Sequence, residues 1–326
     1  MSTSTEMRYV NAVTQALRDS MEQDPTVVVM GEDVAHAGGS FKATRGLLAT
    51  FGAGRVIDTP ISESSITSAA VGMALTGLKP VVEIMFMDFI TLSMDALVNQ
   101  AAKARYMFGG QGSVPMVLRT PHGGGLSAGP QHSQCLEAWV AHVPGLKVVC
   151  PATPQDAYSL LRAAIADPDP VVFIEHKALY AVKGPVDTTQ SARIGEARIA
   201  RAGRDATLVT YGATVSVCLK AAEQLVTEGV DLEVVDLRSL QPWDKATVLE
   251  SLSRTHRAVV VHEAVQAFGV GAEIVATIAD EGFDELDAPL LRVAAPFMPA
   301  PFASSLEEGY AVTVERVIAA VRKSLA

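Results

Sequence analysis

Cysteine is scarce in this chain: Cys135, Cys150 and Cys218 are all it has, and none sits in CxxC spacing. That excludes a disulfide scaffold or zinc ribbon and leaves three small hydrophobes, expected buried in a reducing compartment. Positive charge is in deficit as well. With 26 lysines and arginines against 36 aspartates and glutamates, the net charge is −10 and the pI about 5.2. Such a balance argues against a nucleic-acid-binding surface. No apolar run reaches the length that spans a bilayer. The N-terminal MSTSTEMRYVNAVTQALRDSMEQD mixes acids with its apolar residues. It reads as an amphipathic helix after a short tail, not as a signal peptide. The expected location is the cytoplasm.

Nucleotide motifs are missing or misplaced. There is no GxxxxGK[ST], and Gly52-Ala53-Gly54 precedes a strand, whereas a dinucleotide fingerprint follows one and opens a helix. The stretch HGGGLSAG, His122 to Gly129, holds both an HGGG string and a G-x-S-x-G match. A hydrolase takes those two from different strands. Here they share Gly125, and Pro130 follows at once. The glycines therefore read as permitting close backbone approach to a cofactor or partner.

What the chain has is length and apolar content: 326 residues, 49% hydrophobic and 19% charged. That suffices for two domains with sizeable cores and excludes disorder. Short β-branched runs predict strands at Val27–Met30, Arg55–Thr59, Pro80–Phe86, Val114–Arg119, Leu146–Cys150 and Val171–Glu175. Helical spacing predicts Ile66–Leu75, Asp88–Met107, Ser133–His142 and Gln155–Ala166 between them. Alternation of this kind makes an α/β fold with a doubly wound parallel sheet. Polar, Gly- and Pro-punctuated residues 183–204 read as a linker. Alternation then resumes in a smaller α/β domain, so the expected division is 1–182, linker 183–204, and 205–326.

Two residues stand at strand ends, where ligands of doubly wound sheets bind. Glu63 follows Pro60-Ile61-Ser62 just where a helix begins, and His132 follows the glycine-rich loop. Position alone also allows plainer roles: Glu63 complementing the helix dipole, His132 capping or packing.

The set RVIDTPISES, VVEIMFMDFI, NQAAKARYMFGG, GPQHSQCLEAWVAHVPGLKVVCPATPQDA, DPDPVVFIEHKALY and VVDLRSLQPWD resembles β subunits of thiamine-diphosphate-dependent 2-oxo acid dehydrogenases nearly end to end. The resemblance implies a pyrimidine-binding thiamine domain followed by a transketolase-type C-terminal domain. It implies that Glu63 hydrogen-bonds the aminopyrimidine and promotes its imino form, which takes the thiazolium C2 proton. It also implies that His132 serves the reacting substrate, and that Ile61, Met85 and Phe89 pack around the aminopyrimidine. Some members hold K⁺ through backbone carbonyls, at positions that match Met116, Ala164, Ile165, Asp167 and Asp169. The family's Mg²⁺ and diphosphate are held by a GDG motif, which this chain lacks; Gly31-Glu32-Asp33 has no second glycine. The resemblance thus implies an α subunit carrying that half, in an α₂β₂ assembly, and a lipoyl acyltransferase core that receives the acyl or aldehyde unit. Glu175-His176-Lys177-Ala178-Leu179-Tyr180 and Ala294-Ala295-Pro296-Phe297-Met298-Pro299 look more like the acetoin type than the pyruvate type. A split transketolase-like subunit acting on sugars and a non-catalytic regulatory subunit are the competing expectations. The first would want a histidine and basic cluster that is not apparent, and keeping both Glu63 and His132 argues against the second.

Overall fold

The computed structural model describes residues 4–326; Met1–Thr3, the start of the expected tail, lie outside the described residues. The chain divides into two compact units that do not follow its order. The first comprises residues 1–122 and 139–194, and the second residues 123–138 and 195–326.

In the first unit the elements run β1 (Thr5–Arg8), α1 (Tyr9–Gln23), β2 (Val27–Gly31), α2 (Leu47–Phe51), β3 (Val56–Asp58), α3 (Glu63–Leu75), β4 (Lys79–Glu83), α4 (Ile90–Met94), α5 (Ala102–Met107), β5 (Val117–His122), α6 (Glu137–Ala141, whose start belongs to the second unit), β6 (Lys147–Val149), α7 (Pro154–Ala166), β7 (Val171–His176) and β8 (Lys183–Val186). Strands of this unit lie in the order β6-β7-β5-β4-β2-β3, all parallel. Every residue of β2, β5 and β7 is buried. That is what a parallel sheet covered on both faces demands; β2 meets it with apolar residues and glycine, whereas β5 and β7 also bury Arg119 and Glu175. Helices α1 and α7 pack against each other. Thr153 caps α7, its side chain accepting from Asp156 N–H, with Pro154 at the first position, the usual start signal.

The second unit continues with β9 (Arg198–Arg201), β10 (Ala206–Thr210), α8 (Thr214–Leu225), β11 (Leu232–Asp236), β12 (Ser239–Gln241), α9 (Lys245–Thr255), β13 (Ala258–Val265), α10 (Val270–Glu281), β14 (Leu291–Ala295), α11 (Ser304–Tyr310) and α12 (Val314–Leu325). Its sheet has the order β14-β13-β10-β11-β9, parallel except for β9. Leu208, Val234, Val259 and Val261 from the strands meet Cys218, Leu225, Val317 and Val321 from α8 and α12 in its core. Among the described residues no helix is long and apolar enough to cross a membrane.

Two expectations change, and a third stretch gains structure. The helix expected over Asp88–Met107 is a 3₁₀ turn at Met87–Phe89, α4, a π-helical segment Asp95–Ala101, and α5. Leu97, Ala101 and Ala104 are buried as their spacing requires, but apolar spacing does not distinguish i→i+4 from i→i+5 bonding. The helix expected at Ser133–His142 shortens to α6, because residues 133–136 extend the preceding loop and Ser133 is itself buried. The polar stretch 183–204 holds two strands. In it β8 pairs antiparallel with β1, and β9 with β11. Both are short and polar, as strands outside a core are, and Arg198 and Arg201 of β9 are paired with Asp236 and Asp231.

Candidate active site

Strands β2 and β3 are neighbours in register, Gly31 opposite Asp58, so the residues that follow them emerge side by side. After β3 the turn Pro60-Ile61-Ser62 leads into α3, and Glu63 occupies its first turn. The Glu63 side chain is buried while Ile61 is 82% exposed. Ser93 Oγ donates to the Glu63 carbonyl (3.1 Å), and Thr67 Oγ1 donates to Ser93 Oγ (2.7 Å), which pins the start of α3 to α4. At the end of β2, Gly31 packs so close to β4 that a Cβ there would lie 2.7 Å from the Glu83 carbonyl oxygen. Only glycine fits. Next to it Glu32 is buried, and its Oε1 has no partner among the described residues. Burial pushes the Glu32 carboxyl up, and the negative charges of Glu63 and Asp33 push it further. Two buried carboxyl groups thus lie at the carboxyl ends of neighbouring strands, and Glu32 is biased toward its protonated form. The sequence alone gave Glu32 no role; its only signal was an acid directly after a strand.

An apolar wall stands in the same unit. Met85 and Phe89 are half-buried in the connection after β4. Phe86 contacts Phe89 (6.0 Å between ring centres) and Phe41 (5.7 Å), Phe41 contacts Tyr180 (5.1 Å), and Lys177 Nζ lies 5.3 Å from the Phe86 ring centre. Below it, Arg119 bridges three strands. It donates to both Glu175 oxygens on β7 (2.7 and 2.8 Å) and to Glu83 on β4 (2.8 Å), while Tyr180 donates its hydroxyl to Glu175 (2.8 Å). Burial drives the Glu175 carboxyl up, and Arg119 opposes it.

His132 lies in the second unit, half-buried, with its N–H donating to the Gly129 carbonyl (3.3 Å). The glycine-rich loop before it is gripped by the chain's own acids. Gly124 N–H donates to Glu263 (2.7 Å), and Gly125 N–H (2.7 Å), Ser127 N–H (3.0 Å) and Ser127 Oγ (3.2 Å) donate to Glu307. Nearby, Tyr211 donates to Glu137 (2.8 Å) and stacks on buried His262. A cavity of about 310 Å³ is lined by residues including Gln134, Cys135, Phe297, Met298 and Tyr310. Burial, then the negative charges of Cys135, Glu263 and Glu137, push the Tyr310 hydroxyl up to about 12.

The K⁺-matching positions fall at one end of the first unit's sheet. The Met116 carbonyl accepts from Val171 N–H (3.0 Å) and the Ala164 carbonyl from Asp167 N–H (3.3 Å); Ile165 is buried. The Asp167 carboxylate accepts from Lys147 Nζ (2.7 Å), and Asp169 pairs with Arg105. Ile61, Glu63, Met85 and Phe89 all belong to the first unit, and His132 to the second.

Comparison with known proteins assigns the class. The transketolase pyrimidine-binding domain matches residues 5–183 and the transketolase C-terminal domain residues 195–317, which makes this a two-domain α/β chain of transketolase type. A split-gene transketolase, solved as an inactive β₄ tetramer, shares that fold at TM-score 0.82 and 22% identity, covering 98% of each chain. Curated relatives narrow it. The chain is 45% identical to the mitochondrial pyruvate dehydrogenase E1 subunit beta-1 of Arabidopsis thaliana, over 98% of this chain and 89% of the relative. It is 43% identical to the acetoin:2,6-dichlorophenolindophenol oxidoreductase subunit beta of Cupriavidus necator, over 96% of each. It is 42% identical to the 2-oxoisovalerate dehydrogenase subunit beta of Bacillus subtilis, over 97% of this chain and 98% of the relative. The chain belongs to the family of E1 β subunits of thiamine-diphosphate-dependent 2-oxo acid and acetoin dehydrogenases.

Proposed function

We propose that this chain supplies the aminopyrimidine half of a thiamine diphosphate site and turns over substrate only with an α subunit, in an α₂β₂ assembly. The observation that carries this is the buried Glu63 carboxyl at the head of α3, beside Glu32, on a chain with no GDG motif. These residues fit the ring. A carboxyl group shares a proton with a ring nitrogen, and Met85, Phe89 and Ile61 offer apolar surface to its faces. Mg²⁺ would be held by the α subunit. When bound, thiamine diphosphate supplies a carbon nucleophile for the substrate carbonyl. Glu63 accepts or returns a proton at the pyrimidine nitrogen, and buried Glu32, held toward its protonated form, limits the negative charge beside it. His132 orients or protonates the reacting substrate. K⁺ at the carbonyls of Met116, Ala164, Ile165, Asp167 and Asp169, delivery to a lipoyl acyltransferase core, a functional division at 1–182, 183–204 and 205–326, and a cytoplasmic location belong to the same reading.

Among substrates the EHKALY and AAPFMPAPF strings favour acetoin, and relatives of all three kinds match about equally well. Acetoin is neutral and expels acetaldehyde, whereas an oxo acid brings a carboxylate that must be lost as CO₂. Reconstitution with the α subunit, followed by reduction of an artificial acceptor, compares acetoin, pyruvate and 3-methyl-2-oxobutanoate. The highest kcat/KM is expected with acetoin. A value about tenfold higher for either oxo acid, some 1.4 kcal/mol in transition-state binding, would reverse the substrate order and leave the half-site intact.

A further inference from the structure

A backbone that alternates left- and right-handed residues turns successive N–H groups toward one point and forms an anion receptor. In the glycine-rich loop Gly123 (φ 89°), Gly125 (φ 87°), Ser127 (φ 52°) and Gly129 (φ 76°) are all left-handed. Their receptor is filled from within the second unit. Glu307, on α11, takes three hydrogen bonds from Gly125 and Ser127, and Glu263, on β13, takes one from Gly124. The Glu307 side chain is buried under a loop whose Gly125, Leu126 and Ser127 are exposed, so the carboxylate holds it from the protein side. The loop is closed at its far end too. The Phe302 ring occupies the space where a side chain at residue 129 would stand. From Gly129 the carbonyl accepts the N–H of His132. The clamp is thereby joined to His132 through one hydrogen bond and three residues of chain.

We propose that Glu307, seconded by Glu263, is a positioning residue for His132. The carboxylates fill the loop's anion receptor and so fix the backbone from which the histidine projects. Charged acceptors make the stronger class of hydrogen bond, and a loop of four left-handed residues has no regular structure of its own to hold it. This rests on the role given to His132 above. It adds the means by which a glycine-rich segment keeps that histidine in place, since a side chain misplaced by about 1 Å can cost 10²-fold in rate.

The test has two readouts. Hydrogen exchange is measured on the full chain and on the reconstituted α–β assembly, and steady-state kinetics on the assembly. Glu307→Ala is expected to speed amide exchange across residues 124–132 by roughly tenfold or more, as local opening without global unfolding does. It is expected to lower kcat by up to about 10²-fold while KM moves less than about threefold, the split expected of lost transition-state alignment. Glu307→Gln, nearly isosteric, keeps one acceptor oxygen and should fall between the two in both readouts, and it carries the test if the alanine variant does not fold. Unchanged exchange over 124–132 would overturn the clamp. Faster exchange with wild-type kcat would overturn the positioning role. His132→Gln is the control for the underlying reading. Full turnover in that variant would remove the role of His132, and with it the catalytic half of the proposal, while exchange in Glu307→Ala still decides the clamp.

Discussion

The role proposed for Glu63 follows from where it sits. A carboxyl at the first turn of α3 is favoured by the helix dipole, and the charge of Glu63 helps to push the carboxyl of its buried neighbour Glu32 up. Glu63→Gln keeps the shape and removes the exchangeable acid. Turnover of the reconstituted assembly should drop by roughly 10²–10⁴, the scale of a positioned proton-transfer group. NMR of C2–H exchange on bound cofactor checks it, and a wild-type rate would refute the assignment. His262 makes a prediction about stability. Burial, then Arg292, holds its imidazole below the ordinary value of 6.5, against the pull of Glu137 and of the Ala264 backbone. The folded chain therefore keeps it neutral while the unfolded chain protonates it. The resulting stability is present above pH 6.5 and is lost as pH falls toward the lower folded value, by at most about 1.4 kcal/mol per pH unit. Thermal midpoints at pH 7.5 and 5.5 should fall further in the wild type than in His262→Phe; equal losses would show that another group governs. The addresses of Glu63 and His132 were legible in the sequence. Glu32 and the two clamping acids were not, because Glu263 and Glu307 lie far along the chain from the loop they hold. The glycines of that loop do permit close approach, and the groups that approach are carboxylates of the same chain.

At the scale of elements, strands read from β-branched runs agree with the structure to within a few residues, because a strand buried on both faces is built mainly of apolar residues. Short polar strands escape that logic: β1, β8 and β9 bury little and carry no apolar run. The triad tying β4, β5 and β7 could not be read at all, since it depends on which strands are neighbours. Arg119 at the centre of that sheet satisfies two buried carboxylates at once. Arg119→Met would fill similar volume and leave buried Glu83 and Glu175 without their shared counter-charge, Glu175 keeping only the Tyr180 hydroxyl. Stability should fall by about 3–5 kcal/mol, the scale for breaking a buried ion pair from one side. Urea unfolding of the full chain measures it; a loss below about 1 kcal/mol would mean the carboxyls protonate at little cost, consistent with the upward push on Glu175.

For the whole molecule, the missing GDG motif is the governing fact. The purified chain should bind thiamine diphosphate and Mg²⁺ weakly by calorimetric titration, with tight binding appearing only when the α subunit is added. Tight one-to-one binding to the chain alone would sink the half-site. The two-unit division also bears on how this gene can change. The second unit is not one contiguous stretch of coding sequence: residues 123–138 belong with 195–326, although residues 139–194 separate them. A single recombination crossover in the polar stretch 183–204 would inherit the glycine-rich loop from one parent and its two carboxylate clasps from the other. Exchange of the C-terminal half between relatives would therefore succeed only where both parents kept the same loop and acids, so these distant positions are constrained to drift together.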